Sequence, residues 1–362
     1  VWSACAILVG RLAPIVLVLS GVAPSPVTKE QAMDLGAMMQ PVPLSAKFSE
    51  PGFNVWCGSS IRGDDGKYHL FYSRWPRQLG HLAWVTHSEI ARAVSDSPFG
   101  PYRPAGVVLP PRGRDFWDGL CTHNPTVHKF DGKYYLYYMG NTGDGKAMRS
   151  LNWTHRNNQR IGVAVADAPE GPWIRFDRPL IETTPGFHDA LCNNNPSIAR
   201  RPDGSFLMVY KAVGDKGALP FGGPVVHVVA TSDTPVGPFK KHPDPVFTIE
   251  GEHFAAEDPF IWRGPDRYWA IVKDMRGVFT KAGESLALFE SGDGIRWKLS
   301  AHPLVTARRV RWADGTEQTL AKLERPQVLL DERGRPIALF CAAAERGSLD
   351  NSFNIHIPLK VD

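Results

Sequence analysis

The chain has 362 residues, 43% of them hydrophobic and 22% charged. That length and balance suffice to bury a full core, which excludes a disordered or acidic-tail protein. Basic residues number 41 against 37 acidic ones, a net charge of +4 with no run of one sign to track a phosphate backbone, so no nucleic acid is expected as a partner.

Residues 1–23 read as an export signal, with Arg11 ahead of the apolar run 15–19 and the small-residue site Gly21, Val22, Ala23 before Pro24. The run is too short, and too interrupted by Arg11 and Pro14, to be a transmembrane segment. The other reading is an N-terminal strand or buried helix. Beyond it lie Cys57, Cys121, Cys192 and Cys341 without any C-x-x-C pair, so neither a zinc site nor a thioredoxin motif is indicated. Export permits disulfides among these four, and buried small hydrophobes are the alternative. Segment 24–50 precedes the repetitive part and offers LSAKF, residues 44–48, as a strand that closes a ring.

From residue 51 onward the chain repeats with a period of roughly sixty to seventy residues. Turn signals at Asp65-Gly66, Asp131-Gly132 and Asp203-Gly204 each separate two apolar runs, as D-G does in a β-hairpin. Weaker versions fall at 264–268 and 332–335. A second marker, AVSDSPFGPY, AVADAPEGPW, VATSDTPVGPF and LFESGDGIRW, carries Asp96, Asp167, Asp233 and Asp293. A third precedes each hairpin: THNPTV, NNNPSI, AEDPFI and LERPQV, centred on Pro125, Pro196, Pro259 and Pro326, with WCGSSI around Cys57 filling the place without proline. The 34 Gly and 31 Pro residues then mark many turns between short strands. Five units of four strands, with no amphipathic helix longer than two turns, predict an all-β, five-bladed β-propeller over 51–362.

The DGKYYLYY hairpins, the S-D-x-P-x-G-P-aromatic third strands and the proline-anchored inner strands together resemble the five-bladed glycosidase superfamily that contains glycoside hydrolase family 43. The resemblance covers roughly residues 51 to 360, five units. It implies enzymes that hydrolyse arabinose-, xylose- or galactose-containing polysaccharides by inversion, with three carboxylates on the inner strands. At the matching positions this chain has Gly58, Thr126 and Asn194, none of them acidic. Glu324-Arg325-Pro326 and Glu257-Asp258-Pro259 look like acid-bearing inner strands of the superfamily, which points to relocated chemistry. The resemblance also allows a structural calcium in the channel, although no ligand set in this sequence demands one and no cofactor is required.

Inner strands line the central channel, so equivalent positions form rings. Two before the proline the ring reads Cys57, His123, Asn194, Glu257 and Glu324; one before it, Gly58, Asn124, Asn195, Asp258 and Arg325. Neighbouring strand residues face opposite sides, so a regular strand makes one ring apolar. Both are polar, and an unsatisfied buried polar group costs about 1–3 kcal/mol, so the rings belong at a solvated mouth that binds a polar ligand. Asn124, Asn194, Asn195 and Arg325 are thus candidate substrate-binding residues.

Glycoside hydrolysis needs one protonated acid and one ionised base or nucleophile. Asp258 and Glu324 are the leading pair, Glu257 is the reserve acid, and His123 is an alternative proton donor. The competing role for each carboxylate is an ion pair with Arg325, Arg263 or Arg200. Asp118 and Asp189, in DGLCTHNP and DALCNNNP, either grip sugar hydroxyls or tie loop amides. Trp56, Trp75, Trp84 and Trp117 either stack on sugars or fill blade interfaces. Arg74 and Arg112 either bind an anionic substituent or are solvated loop arginines. These residues predict an exported glycoside hydrolase acting on a polysaccharide or oligosaccharide. The insertions after strand two of the first two blades suggest exo action. A polysaccharide lyase using His123 and a non-catalytic carbohydrate-binding propeller are the rivals.

Overall fold

The computed structural model describes Val1 and residues 32–361; the expected export signal lies outside the described residues. Five antiparallel four-stranded sheets follow one another along the chain. Blade one comprises β2 (Phe53–Arg62), β3 (Tyr68–Pro76), β4 (Glu89–Ser95) and β5 (Arg103–Leu109), after a short β1 (Lys47–Phe48). Blade two is β6 (Cys121–Phe130), β7 (Lys133–Asn141), β8 (Arg160–Ala166) and β9 (Ile174–Arg175). Blade three is β10 (Cys192–Arg200), β11 (Phe206–Val213), β12 (Val225–Ser232) and β13 (Lys240–Val246). Blade four is β14 (Ala256–Arg263), β15 (Tyr268–Asp274), β16 (Ser285–Ser291) and β17 (Lys298–Thr306), trailed by a hairpin of β18 (Arg309–Arg311) and β19 (Glu317–Thr319). Blade five is β20 (Lys322–Leu330), β21 (Pro336–Ala344) and β22 (Ser352–Pro358), and its outermost strand is β1.

Lys47 pairs with Ile355 and Phe48 with Asn354, so the start of the described chain completes the last sheet. The inner strands β2, β6, β10, β14 and β20 touch in turn around the axis, and β20 touches β2 to shut the ring. The molecule is a five-bladed β-propeller.

Local chemistry explains the regularity. Each D-G turn places glycine at positive φ, 79° at Gly66, 82° at Gly132 and 87° at Gly204, where a side chain is strained. In the first and third, the aspartate also accepts the backbone N–H two residues on, Lys67 and Ser205, each at 3.0 Å. Strands read as near-continuous apolar runs because both faces of a blade pack on neighbours: β16 and β15 are buried throughout. Large rings fill the inter-blade layers, among them Phe247 against Phe289 and Trp297, and Phe130 against Phe206. No disulfide forms: all four cysteines among the described residues are free and buried. No helix among the described residues is long and apolar enough to cross a membrane.

Candidate active site

Every inner strand carries the same irregularity. The pairing with the second strand slips between Trp56 and Ser59, His123 and Thr126, Asn194 and Ser197, Glu257 and Phe260, and Glu324 and Gln327. Within each slip one residue takes the left-handed conformation: Cys57 (φ 56°), Asn124 (55°), Asn195 (53°), Asp258 (56°) and Arg325 (55°). Such a β-bulge re-aims side chains, so two successive residues both reach the channel, which is why both rings are polar. Asn and Asp tolerate this conformation better than other L-residues, and three of the five positions use them.

Blade one corrects the alignment suggested by the sequence. Gly58 stands where the other blades have proline, so Cys57, not Gly58, is the partner of Asn124, and Trp56, not Cys57, is the partner of His123. Proline is absent there because the Gly58 amide donates to Asn354 Oδ1 at 3.2 Å, a bond proline cannot make. A Cβ at Gly58 would also meet Asn354 Nδ2 at 2.8 Å. The family's blade-one acid position is accordingly Cys57.

The five bulge residues are joined by a chain of hydrogen bonds around the axis. Cys57 Sγ donates to Asn124 Oδ1 at 2.8 Å, Asn124 Nδ2 donates to Asn195 Oδ1, and Asn195 Nδ2 donates to Asp258 Oδ1 at 2.7 Å. Arg325 Nη1 donates to the same Asp258 oxygen at 3.3 Å, so the fifth bulge residue joins the chain at Asp258. The Arg325 backbone N–H reaches Asp258 Oδ2 at 3.2 Å. A calcium ion does not suit this centre. Its single carboxylate is matched by a guanidinium, and the remaining groups are two amides and a thiol that burial keeps protonated.

Above these residues lies a pocket of about 160 Å³ lined by residues of all five blades. One wall is aromatic. Trp84 stacks on His123 with ring centroids 4.8 Å apart, Trp75 meets His123 edge-on at 5.7 Å, and Trp56 meets His81 edge-on at 5.0 Å. His81 and Trp84 come from the insertion after β3, and Trp75 Nε1 pins that insertion by donating to Gly80 O at 3.2 Å. Charged groups make up much of the remaining lining, Lys211, Glu257, Asp258, Glu324 and Arg325, and further lysines pair with them. Lys211 pairs with Glu257; Lys273 pairs with Glu324 and stands 3.7 Å from Glu257; Lys322 stands 3.7 Å from Glu324. Lys211 and Lys273 lie on the second strands β11 and β15, directly opposite Asn194 and Glu257.

These charges separate the carboxylates. Burial raises the Glu257 carboxyl, but the Lys211 and Lys273 ammoniums outweigh it and hold the group down at about 2. Burial also raises Asp258, the adjacent Glu257 charge adds to it, and Arg325 offsets only part, leaving the carboxyl at about 6. Glu257 is therefore an anion unsuited to proton donation. His123 is pushed well below its ordinary value, first by burial and then by Arg325 and His81. Its Nδ1 meets Ser88 Oγ at 2.7 Å, so it sits neutral and fixed.

Other candidates from the sequence lie elsewhere, and their polar groups are spent internally. Asp118 is fully buried and accepts from Tyr138 at 2.8 Å, Arg112 at 2.7 Å and Arg175 at 3.2 Å. Asp189 repeats the arrangement in blade three with Tyr210 at 3.0 Å and Lys241 at 2.6 Å. Arg74 does the same in blade one, tied to Glu50 and to Glu89 at 2.9 Å, while Tyr72 donates to Glu50 at 2.6 Å. Trp117 stacks on Tyr138 at 5.6 Å and occupies the space that Gly162, lacking a Cβ, leaves open. These four hold blade edges together and do not line the pocket. The pocket residues His81 and Lys211, and Lys273 which pairs with the pocket residue Glu324, gave no signal in the sequence, since a lysine on a second strand resembles any strand residue.

Solved structures share this architecture. A family 117 glycoside hydrolase of the marine bacterium Zobellia galactanivorans superposes with a TM-score of 0.61 at 19% identity, covering 89% of each chain. An endo-arabinase of Bacteroides thetaiotaomicron gives 0.58 at 14% identity over 89% of this chain and 98% of that one. The fold shared with these structures is the five-bladed β-propeller. Among curated relatives of this propeller, the "Probable arabinan endo-1,5-alpha-L-arabinosidase C" of Aspergillus clavatus is 31% identical over 183 residues, 48% of this chain and 46% of the relative. The match thus spans under half the length of that relative. No family model matches the chain.

Proposed function

We propose that this propeller is an exported glycoside hydrolase acting on a polysaccharide or oligosaccharide, with arabinose-containing glycans first among substrates because of the names of its curated relatives. The observation that carries the reading is the mixed lining of the pocket: indole and imidazole rings share it with carboxylates and cations. A sugar ring offers an apolar C–H face to the first and edge hydroxyls to the second.

In this reading Asp258, held at about 6, gives its proton to the leaving glycosidic oxygen. Glu324, salt-bridged to Lys273, is the partner that takes the proton of the attacking water, and the two together are the pair that hydrolysis needs. Glu257 stays negative, keeps the proton on Asp258 and stabilises the positive charge that develops on the sugar. Asn124, Asn194, Asn195 and Arg325 position the substrate and the two acids.

Exo action is the finer proposal, because His81 and Trp84 wall the pocket on the side of blade one and the volume accommodates about one sugar ring. Endo action is the second reading, favoured by the names of the curated relatives. The test is incubation with arabinan, xylan and galactan, following reducing ends, product length and ultraviolet absorbance, with Asp258→Asn and Glu324→Gln alongside. Single sugars lost in both variants support the exo hydrolase, and oligosaccharides lost in both support the endo form. Absorbance surviving in both variants identifies a lyase, and binding without product identifies a carbohydrate-binding propeller.

A further inference from the structure

Asn194 occupies the position at which the resemblance calls for the general acid, and its surroundings give it different work. It is 3% exposed, and its Nδ2 donates to the Oε1 of Gln159, a side chain 1% exposed at the start of β8. The remaining atom of each amide, Asn194 Oδ1 and Gln159 Nε2, has no hydrogen-bond partner. One buried acceptor and one buried donor are left on this bonded pair of amides, and turning both amides over leaves the same complement. Leaving such groups unpaired costs about 1–3 kcal/mol each, so an occupant that supplies both bonds is favoured there. Asn194 lines the pocket, so the occupant arrives from there.

A sugar hydroxyl is a donor and an acceptor on one atom. We propose that Asn194 and Gln159 together read a single hydroxyl of the bound sugar, which donates to Asn194 Oδ1 and accepts from Gln159 Nε2, making Gln159 a specificity-determining residue. The proposal rests on the glycan reading above and assigns a residue which that reading leaves idle. Lys211, directly opposite Asn194 on β11, is engaged by Glu257 and so leaves the hydroxyl to the amides. A site of this kind discriminates by loss: a sugar lacking the hydroxyl leaves both amides unpaired again.

Binding is read by tryptophan fluorescence, since Trp56, Trp75 and Trp84 line the same pocket. The probes are the methyl glycosides of arabinofuranose, xylose and galactose, each with its set of monodeoxy analogues, and the proteins are the unaltered chain, Gln159→Ala and Gln159→Glu. The Glu variant keeps the acceptor for Asn194 Nδ2 and loses the donor. For the preferred sugar, one deoxy analogue is expected to bind the unaltered chain on the order of tenfold more weakly. Both variants are expected to bind the parent sugar weakly to the same degree and to bind that one analogue as well as the unaltered chain does. Equal weakening of every sugar by both variants, or none at all, overturns the hydroxyl assignment while the glycan reading stands. An unaltered chain that responds to no sugar overturns the glycan reading and this proposal together. Thermal unfolding of both variants separates a folding defect, which would weaken all sugars alike, from the selective loss.

Discussion

Asn195 hands its amide hydrogen to Asp258 across the boundary between blades three and four, at 2.7 Å, from one bulge residue to the next. Both residues are in the left-handed conformation, a strain of about 1–3 kcal/mol apiece that the surrounding blades must sustain. What the strain secures is a carboxyl whose two oxygens are fixed by neighbours on both sides, Asn195 and Arg325. The acid is positioned by the ring as a whole.

The charge of Glu257 is one cause of the raised Asp258 carboxyl, second to burial. Removing it with Glu257→Gln lowers Asp258, so the proton is lost at lower pH. In the unaltered chain kcat/KM is expected to fall as pH rises through about 6, and the variant's alkaline limb should shift toward acid. A pH–rate profile decides this; a limb that stays in place removes Asp258 from the role of donor.

The same shift carries a stability signature. Because the folded protein binds this proton more tightly than the unfolded chain does, the stabilisation is fully present below about 4 and disappears as pH rises through about 6. The span is on the order of 3 kcal/mol. Buried neutral histidines such as His128, His227 and His356, all held below their ordinary value by burial, act the other way and stabilise the fold as pH rises toward 6.5. The readout is therefore the difference in urea midpoint between the unaltered chain and Asp258→Asn, which should shift against the unaltered chain as pH rises from about 4 to about 6.

Lys273 is 3% exposed, and burial alone would lower it, but the charges of Glu324, Glu257 and Asp258 outweigh burial and keep it protonated. Lys273→Met leaves these carboxylates facing one another without the ammonium, and breaking a buried pair in this way costs about 3–5 kcal/mol. Adding Glu324→Gln should return part of the stability and none of the activity. Denaturant unfolding of the two single variants and the double variant closes the cycle.

Asp118 and Asp189 are expected to matter for the fold alone. Asp118→Asn and Asp189→Asn should lower Tm by several degrees by removing the buried negative charge that Arg112, Arg175 and Lys241 face. Their KM for a glycan substrate should stay within about twofold, because neither residue borders the pocket. A large change in KM at unchanged Tm would return them to substrate binding.

The propeller was legible because its signals are local and recur in phase: D-G turns, S-D-x-P-x-G-P strands and proline-marked bulges each state the same geometry several times over. The two polar rings were legible for the same reason. The failures are equally particular. Blade one lost its marker when Gly58 replaced proline to free an amide for Asn354, so its register slid by one residue. Lys211, Lys273 and Gln159 escaped notice because their roles depend on what stands across the sheet or on the next blade, and strand periodicity contains no such information. Asp118 and Asp189 were conspicuous by repetition, yet repetition marks a structural joint as readily as a binding group.

The joint between β1 and β22 has a consequence in time. Lys47 cannot meet Ile355 until almost the entire chain has been threaded into blades, so this contact has one of the longest sequence separations in the molecule and forms at the highest entropic disadvantage. Blades one and five also meet directly, β2 packing against β20, β21 and β22, across a similarly long stretch of chain. The clasp is also the first place to let go: a two-residue strand is lost more readily than any inner strand, and its departure exposes the edge of β22 to other chains. A propeller built this way closes its ring with contacts between the two ends of the described chain, so the first and last blades hold each other.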